Sequence, residues 1–507
     1  MGANGSATEE PTAYSQLLDR YGRIANVGHA QGLLSWDQQV MMPSGGTPAR
    51  SRQLSTLSAI GHELLVDEET GRLLSEMDDA ELTAEQAATV REIRREYERE
   101  VQVPTELVER ISRTSSEALE AWEQAKENDE FDTFAPHLRE LVELKREYAE
   151  QIDPDREPYE VLFEEYEPCL PLDHATRILD RVREQLVETI EEIKTSDADV
   201  TTDAFAGSYD ADRQEQLARD ALDLLGYDWD RGRLDTSAHP FTSGTQFDSR
   251  ITTRFDESDP LGALTSTIHE FGHATYQLGL PTDDYGTPLG EARDLSVHES
   301  QSRLWENHVG RSRAFWELFL PTFKSQFPGA ENVSVQEAYE AANQVYEDNL
   351  IRVEADELTY HLHILIRFEI ERALIAGDLD VAEVPEVWND TYEQYLGVRP
   401  DTDAEGCLQD IHWSHGNFGY FPTYTLGSVM AAQLFDAADE DIPDLDGNVR
   451  RGEFEPLHEW LTDNVHRHGK LYETNELVEE ATGSEFTAEA FLGYVDRKYG
   501  TLYDLDR

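Results

Sequence analysis

Through most of this chain apolar residues recur at three- and four-residue spacing among dense charges, the pattern of helices that bury one face and solvate the other. It predicts helices over residues 81–99, 106–126 and 134–152, and again over 172–193, 210–225, 335–376 and 454–465. The least regular stretch, 195–209, is rich in Asp, Thr, Ser and Gly and reads as a surface loop. One departure from helical spacing is 247–255 (FDSRITTRF), where β-branched alternation predicts a strand or hairpin. No tandem repeat or low-complexity linker divides the chain, so the expected fold is mostly α: one large helical domain over 14–507 with a very small β element, preceded by a glycine-containing flexible leader over 1–13.

Two further helices have readable ends. Asp259 can cap the first, Pro260 suits its first turn, and Gly279 followed by Pro281 stops it. The second is expected to begin near Glu291, after Pro288 and Gly290, and to end by Gly310.

Charge changes the picture of the setting. The 507 residues carry 105 acidic against 42 basic side chains, a net charge of −63, spread along the chain rather than gathered in a tail. Only six of the basic residues are lysine: Lys126, Lys145, Lys194, Lys324, Lys470 and Lys498. Such a surface repels nucleic acid and anionic membranes, and it suits molar salt, where repulsion is screened within a few ångströms. Cys169 and Cys407 are too few for a disulfide framework. No signal peptide or membrane span is apparent. Residues 1–6 match a myristoylation pattern without a second membrane signal, so a cytoplasmic location is expected.

The chemistry begins with His269-Glu270-Phe271-Gly272-His273 on the first of these helices. Histidines at i and i+4 share one helical face and can bind one metal ion, and the adjacent glutamate can reach an activated water as general base. A catalytic zinc site needs a third protein ligand. Glu299, on the next helix and 26 residues beyond His273 (299 − 273), can supply it; His298 is adjacent but points about 100° away.

These residues resemble a known family. HEFGH, HESQSR at 298–303, DSRIT at 248–252, IRVEAD at 351–356 and GCLQDIHW at 406–413 look like the motif set of the carboxypeptidase Taq family of metallocarboxypeptidases. Trp36-Asp37-Gln38 and Met42-Pro43 look like that family too, so the resemblance runs from about Tyr14 to the C-terminus. It implies a deep active-site groove akin to those of neurolysin and angiotensin-converting enzyme, a homodimer, and release of single C-terminal residues from peptides of broad sequence. It also implies His269, His273 and Glu299 as ligands of zinc, with cobalt as an alternative, and Glu270 as the base. The acidity suggests a haloarchaeal-type member.

Other roles follow from the same motifs. Segment 412–424 resembles the region that donates hydrogen bonds to the scissile carbonyl oxygen in related helical peptidases, which nominates His412 with Tyr420 or Tyr424; packing of these rings in a core is the alternative. Arg352 is the candidate for binding a free α-carboxylate, with an i,i+4 ion pair to Asp356 as its structural alternative. Arg250 is a second candidate, or else fixes the strand; His239 can bind substrate backbone, or be a buried, satisfied histidine. His361 and His363 read as packing, His466 and His468 as solvated. Asp410 or a backbone carbonyl is left to orient a ligand histidine, because Ser302 and Arg303 stand where a carboxylate is usual. The competing functions are an oligopeptidase or dipeptidyl carboxypeptidase with the same metal core, and a non-catalytic peptide-binding scaffold, which has no use for Glu270.

Overall fold

Nearly every element is a helix, as the periodicity predicts, and the bounds fall within a few residues of expectation in the first half of the chain. The structure, a computed structural model, describes residues 12–346, 348 and 350–505. Residues 1–11 of the expected leader therefore lie outside the described residues; the Thr12 side chain accepts from the Ser15 amide and caps the first helix, Ala13–Val40. That helix and Thr47–Val66 form an N-terminal hairpin. Its base sits on Glu68–Glu76 and Ala84–Gln102 through a small separate core of Leu17, Tyr21, Leu73, Leu74 and Ile93. Thr105–Asn128, Phe131–Ile152, Leu172–Thr195 and Ala211–Leu225 then pack into one large apolar core that runs on to Tyr499. The 195–209 loop is irregular as expected, but it is pinned down: Phe205 and Tyr209 are buried against Phe323.

The expected strand is the centre of a three-stranded sheet. β3 (Asp248–Thr253) pairs in parallel with β1 (Gly232–Thr236) and antiparallel with β2 (Phe241–Thr245), so β2 is an edge. Alternation on β3 buries Ile251 in the core and turns Arg250 to the opposite face. β1 and β2 (GRLDT and FTSGT) carry too few apolar residues to announce themselves.

The predicted helix over 335–376 is in fact two. Val335–Ala342 ends at Asn343, whose side-chain amide donates to the carbonyls of Tyr339 and Arg311, and Thr359–Ala376 starts afresh. Asp356 restarts it: its carboxylate accepts from the amides of Leu358, Thr359 and Tyr346. A side chain so engaged does not pair with Arg352, which sits in a short 3₁₀ turn, Arg352–Glu354. The second predicted helix begins at Leu295, not Glu291, and after Arg303 it widens into a π-helix, Leu304–Gly310. No helix among the described residues is long and apolar enough to cross a membrane.

Buried ions tie the pieces together. Arg293, just before the Leu295–Arg303 helix, donates two hydrogen bonds to Glu92 on Ala84–Gln102, at 2.9 and 3.0 Å, and a third to Asp294. Both Arg293 and Glu92 are shielded from solvent. Burial opposes the charge on Glu92, but Arg293, Arg95 and Arg91 outweigh it and hold the carboxyl at about 2.

Candidate active site

The motif helix, Pro260–Gly279, has the ends expected of it: Asp259 accepts from the Gly262 amide and Pro260 opens the first turn. Ile268, Phe271 and Ala274 point into the core, which turns His269, Glu270 and His273 the other way. The Leu295–Arg303 helix approaches so closely that a Cβ on Gly272 would lie 2.5 Å from Gln301 O and Ser302 Cα. On its far side Gly427, in helix Pro422–Asp441, lets Glu299 pass; a Cβ there would lie 2.5 Å from Glu299 Cβ. Two glycines thus set the depth of the helix that carries the third ligand. Gly272→Ala forces backbone against backbone, so metal affinity is expected to fall at least about tenfold, with an overpacking penalty of about 1–3 kcal/mol. Competition with a chromogenic chelator reads this directly, and undiminished affinity would refute it.

The ligand atoms converge. Nε2 of His269 and of His273 lie 3.7 and 3.5 Å from Glu299 Oε2. Among the described residues this is the one cluster of such groups whose ligand atoms all lie within 4.8 Å of one another. Tetrahedral zinc with bonds near 2.1 Å separates its ligands by about 3.4 Å, so the donor set fits without rearrangement. Burial resists the charge on Glu299, but Arg303, whose Nε donates to Oε1 at 2.7 Å, and the two histidines hold it well below the usual carboxylate range.

The outer partners differ from expectation. Asp410 does not orient a ligand histidine. Glu306 does: its Oε2 accepts from His269 Nδ1 at 2.9 Å, while Arg303 and Arg311 hold it anionic. Glu306 stands seven residues past Glu299, two turns along the same helical face, and lies on the π-helix; that spacing was the signal in the sequence. His273 Nδ1 lies 2.5 Å from His298 Nδ1, and His298 Nε2 lies 3.0 Å from the Gln277 amide. Burial and the neighbouring His273 push His298 down to about 3, so it is neutral. For His273 to offer Nε2 to a metal, its Nδ1–H donates to His298, whose own proton then sits on Nε2 and requires the Gln277 oxygen to face it. His298 therefore serves the histidine ligand rather than the metal.

Glu270 is buried beside this cluster, and the Thr242 hydroxyl of β2 donates to it, 2.7 Å from Oε2. The edge strand thus holds the Glu270 side chain, a link invisible in sequence because 28 residues separate the two.

Arg352 lines a cavity of about 610 Å³ whose walls also include His269, Arg303, Arg311 and Tyr360. Its Nε and Nη2 donate to Asp410 Oδ1, and Nη1 donates to the Tyr360 hydroxyl. Fully buried Arg367 takes the other oxygen of Asp410. Two guanidiniums on one carboxylate leave a positive charge unbalanced at the wall of this cavity.

His412 is pushed down to about 4 by burial, and its buried Nδ1 has no hydrogen-bond partner. Its ring lies 5.4 Å from that of Tyr420, whose hydroxyl is 3.5 Å from Tyr424's. Burial raises both phenols, so both are protonated donors; the charge of Glu299 reaches Tyr420, and Tyr424 packs on Arg352 and Tyr360.

The remaining candidates lie elsewhere. His239 is exposed in the β1–β2 connection, not buried. Arg250 pairs with Asp248 and lies 4.3 Å above the ring of Trp36, on the N-terminal hairpin, lining a second cavity of about 500 Å³ with His29 and Tyr285. His361 and His363 are buried, against Thr425 and Tyr392, as packing groups. His466 is buried too, contrary to expectation. Gly279 leaves it room, and its Nε2 lies 2.9 Å from Gln301 Oε1.

The match to known proteins runs the length of the chain. It is 38% identical over 505 residues to thermostable carboxypeptidase 1 of Thermus thermophilus, covering 97% of this chain and 99% of that one. Carboxypeptidase 1 of Bacillus subtilis is 34% identical over 97% of this chain and 99% of its own. The crystal structure of the M32 carboxypeptidase of Deinococcus radiodurans superposes with a TM-score of 0.94 at 37% identity, over 97% of this chain and all of that one. The family model described as carboxypeptidase Taq (M32) metallopeptidase matches residues 16–499, a span that contains His269, Glu270, His273, Glu299 and Arg352. The helical fold, the convergence of His269, His273 and Glu299 and these relatives agree, and the chain belongs to the carboxypeptidase Taq (M32) family of metallocarboxypeptidases.

Proposed function

We propose that this metallocarboxypeptidase releases one C-terminal residue at a time from peptides, with His269, His273 and Glu299 holding zinc, Glu270 as general base and Arg352 binding the terminal carboxylate. The observation that carries the reading is the unbalanced charge at Arg352, in the wall of the cavity that His269 also lines. Two histidines and a carboxylate suit zinc, and cobalt is accommodated by the same donors. Bound there, the ion supplies Lewis-acid polarisation of the scissile carbonyl and a lowered pKa for water.

The chain's own residues do the rest. Arg352 presents its free N–H groups to the α-carboxylate, and Asp410 fixes the plane of the guanidinium. Glu270, oriented by Thr242, takes the proton from the attacking water and returns it to the leaving amine. His412, Tyr420 and Tyr424 offer neutral N–H and O–H donors to the oxygen that becomes negative. Glu306 and His298 keep the ligand histidines in the tautomer that exposes Nε2. His239 and Arg250, away from this cavity, are assigned to substrate further from the cleaved bond.

Peptides differing only in a free or amidated C-terminus test the end recognition: free acids are expected to be trimmed and amides spared. Equal cleavage of both would favour the endo-acting oligopeptidase instead. From the family resemblance we also expect a homodimer, and from the charge of −63 a salt-rich cytoplasm. Raising KCl shortens the Debye length from about 10 Å at 0.1 M to about 3 Å at 1 M, so the thermal midpoint is expected to climb with KCl. A midpoint indifferent to salt would remove the halophilic reading.

A further inference from the structure

Residue Glu371, on helix Thr359–Ala376, is a fully buried carboxylate that takes no part in the steps above. Oε1 accepts from Trp413 Nε1 at 2.8 Å; Oε2 accepts from the Gly419 amide and the Tyr159 hydroxyl, both at 3.0 Å. Trp413 directly follows His412, and Gly419 directly precedes Tyr420. The loop between is closed on itself, with the Asn417 amide donating to the His412 carbonyl. Gly419 adopts φ +91°, and a Cβ there would lie 2.9 Å from the Phe163 backbone, so the loop is wedged against helix Pro158–Phe163, the helix that bears Tyr159. One carboxylate therefore grips both ends of the turn that separates the two donors.

We propose that Glu371 is a positioning residue: by holding Trp413 and Gly419 it fixes the gap between His412 and Tyr420, the gap into which the developing oxyanion must fit. The inference rests on the reading of His412 as an oxyanion donor. The Trp413 and Gly419 N–H groups can only donate and the Tyr159 hydroxyl donates beside them, so the ionised form meets all three, whereas burial pushes the carboxyl up to about 7 against those hydrogen bonds and Arg367.

The Glu371→Gln substitution keeps the shape but aims an N–H₂ at one of two fixed N–H donors. It is expected to lower kcat about 10- to 100-fold, the scale of a misplacement near 1 Å, with KM changed less than about threefold and metal content unaltered. Because the effect passes through His412, the same substitution in a His412→Ala background is expected to lower kcat less than about threefold further. If Glu371→Gln does not fold, Trp413→Phe, which deletes one of the three donors, is expected to lower kcat about 3- to 10-fold, and again to cost little further in the His412→Ala background. A folded, metal-loaded Glu371→Gln enzyme with kcat within twofold of the parent, or an equal loss with and without His412, overturns the proposal. If His412→Ala alone leaves kcat intact, the reading of His412 fails first and the inference falls with it.

Discussion

The Glu270→Gln substitution is expected to lower kcat about 10³- to 10⁴-fold while the enzyme still binds one metal ion per chain. The side chain is not one of the three converging ligands, and the amide matches its shape, so neither the cluster nor the Thr242 contact needs to rearrange. What disappears is a proton acceptor, and general-base catalysis is worth about 10²–10⁴ before cooperation with the metal is counted. Steady-state kinetics together with metal analysis of the purified variant make the check. Turnover within tenfold of the parent would show that another group takes the proton, and loss of the metal would show that Glu270 belongs to the ligand set.

Arg352→Ala is expected to reduce kcat/KM on peptides with a free C-terminus by about 10²–10³, or roughly 3–4 kcal/mol of lost transition-state stabilisation, the range for truncating one partner of a buried charge pair. Asp410 keeps Arg367, so the variant is expected to fold. On amidated peptides the substitution is expected to change little, and the preference for free acids over amides should collapse. A variant that loses activity equally on both would assign Arg352 to the architecture of the pocket instead.

Much of the fold and of the inner site was legible in the sequence, for physical reasons that differ by element. The motif helix announced itself because its cap and its proline act locally. The convergence of His269, His273 and Glu299 could be read because it is written in helical spacing and in one short connection. The helix expected across 335–376 broke because Asp356 and Asn343 satisfy backbone groups, and apolar periodicity is blind to such contacts. The partner of Arg352 was misjudged for the same reason: Asp356 is near in sequence, but Asp410 is near in space. Glu306 lay one turn beyond the positions usually inspected, and Thr242, His298 and Glu371 act through contacts between elements that no local pattern encodes. His466, expected to be solvated, is buried by packing against Gly279, a contact between elements that its local sequence does not encode.

The proposed activity of this enzyme is metal-dependent removal of single residues from a free C-terminus. It is met most directly by incubating a mixed set of peptides with the enzyme in high salt, with and without a chelator, and following the products by mass spectrometry. The account predicts ladders that shorten one residue at a time from the C-terminal end, that stop when chelator is added and that resume when zinc or cobalt is restored. Internal fragments, release of dipeptides, or trimming that continues unchanged in chelator would contradict it.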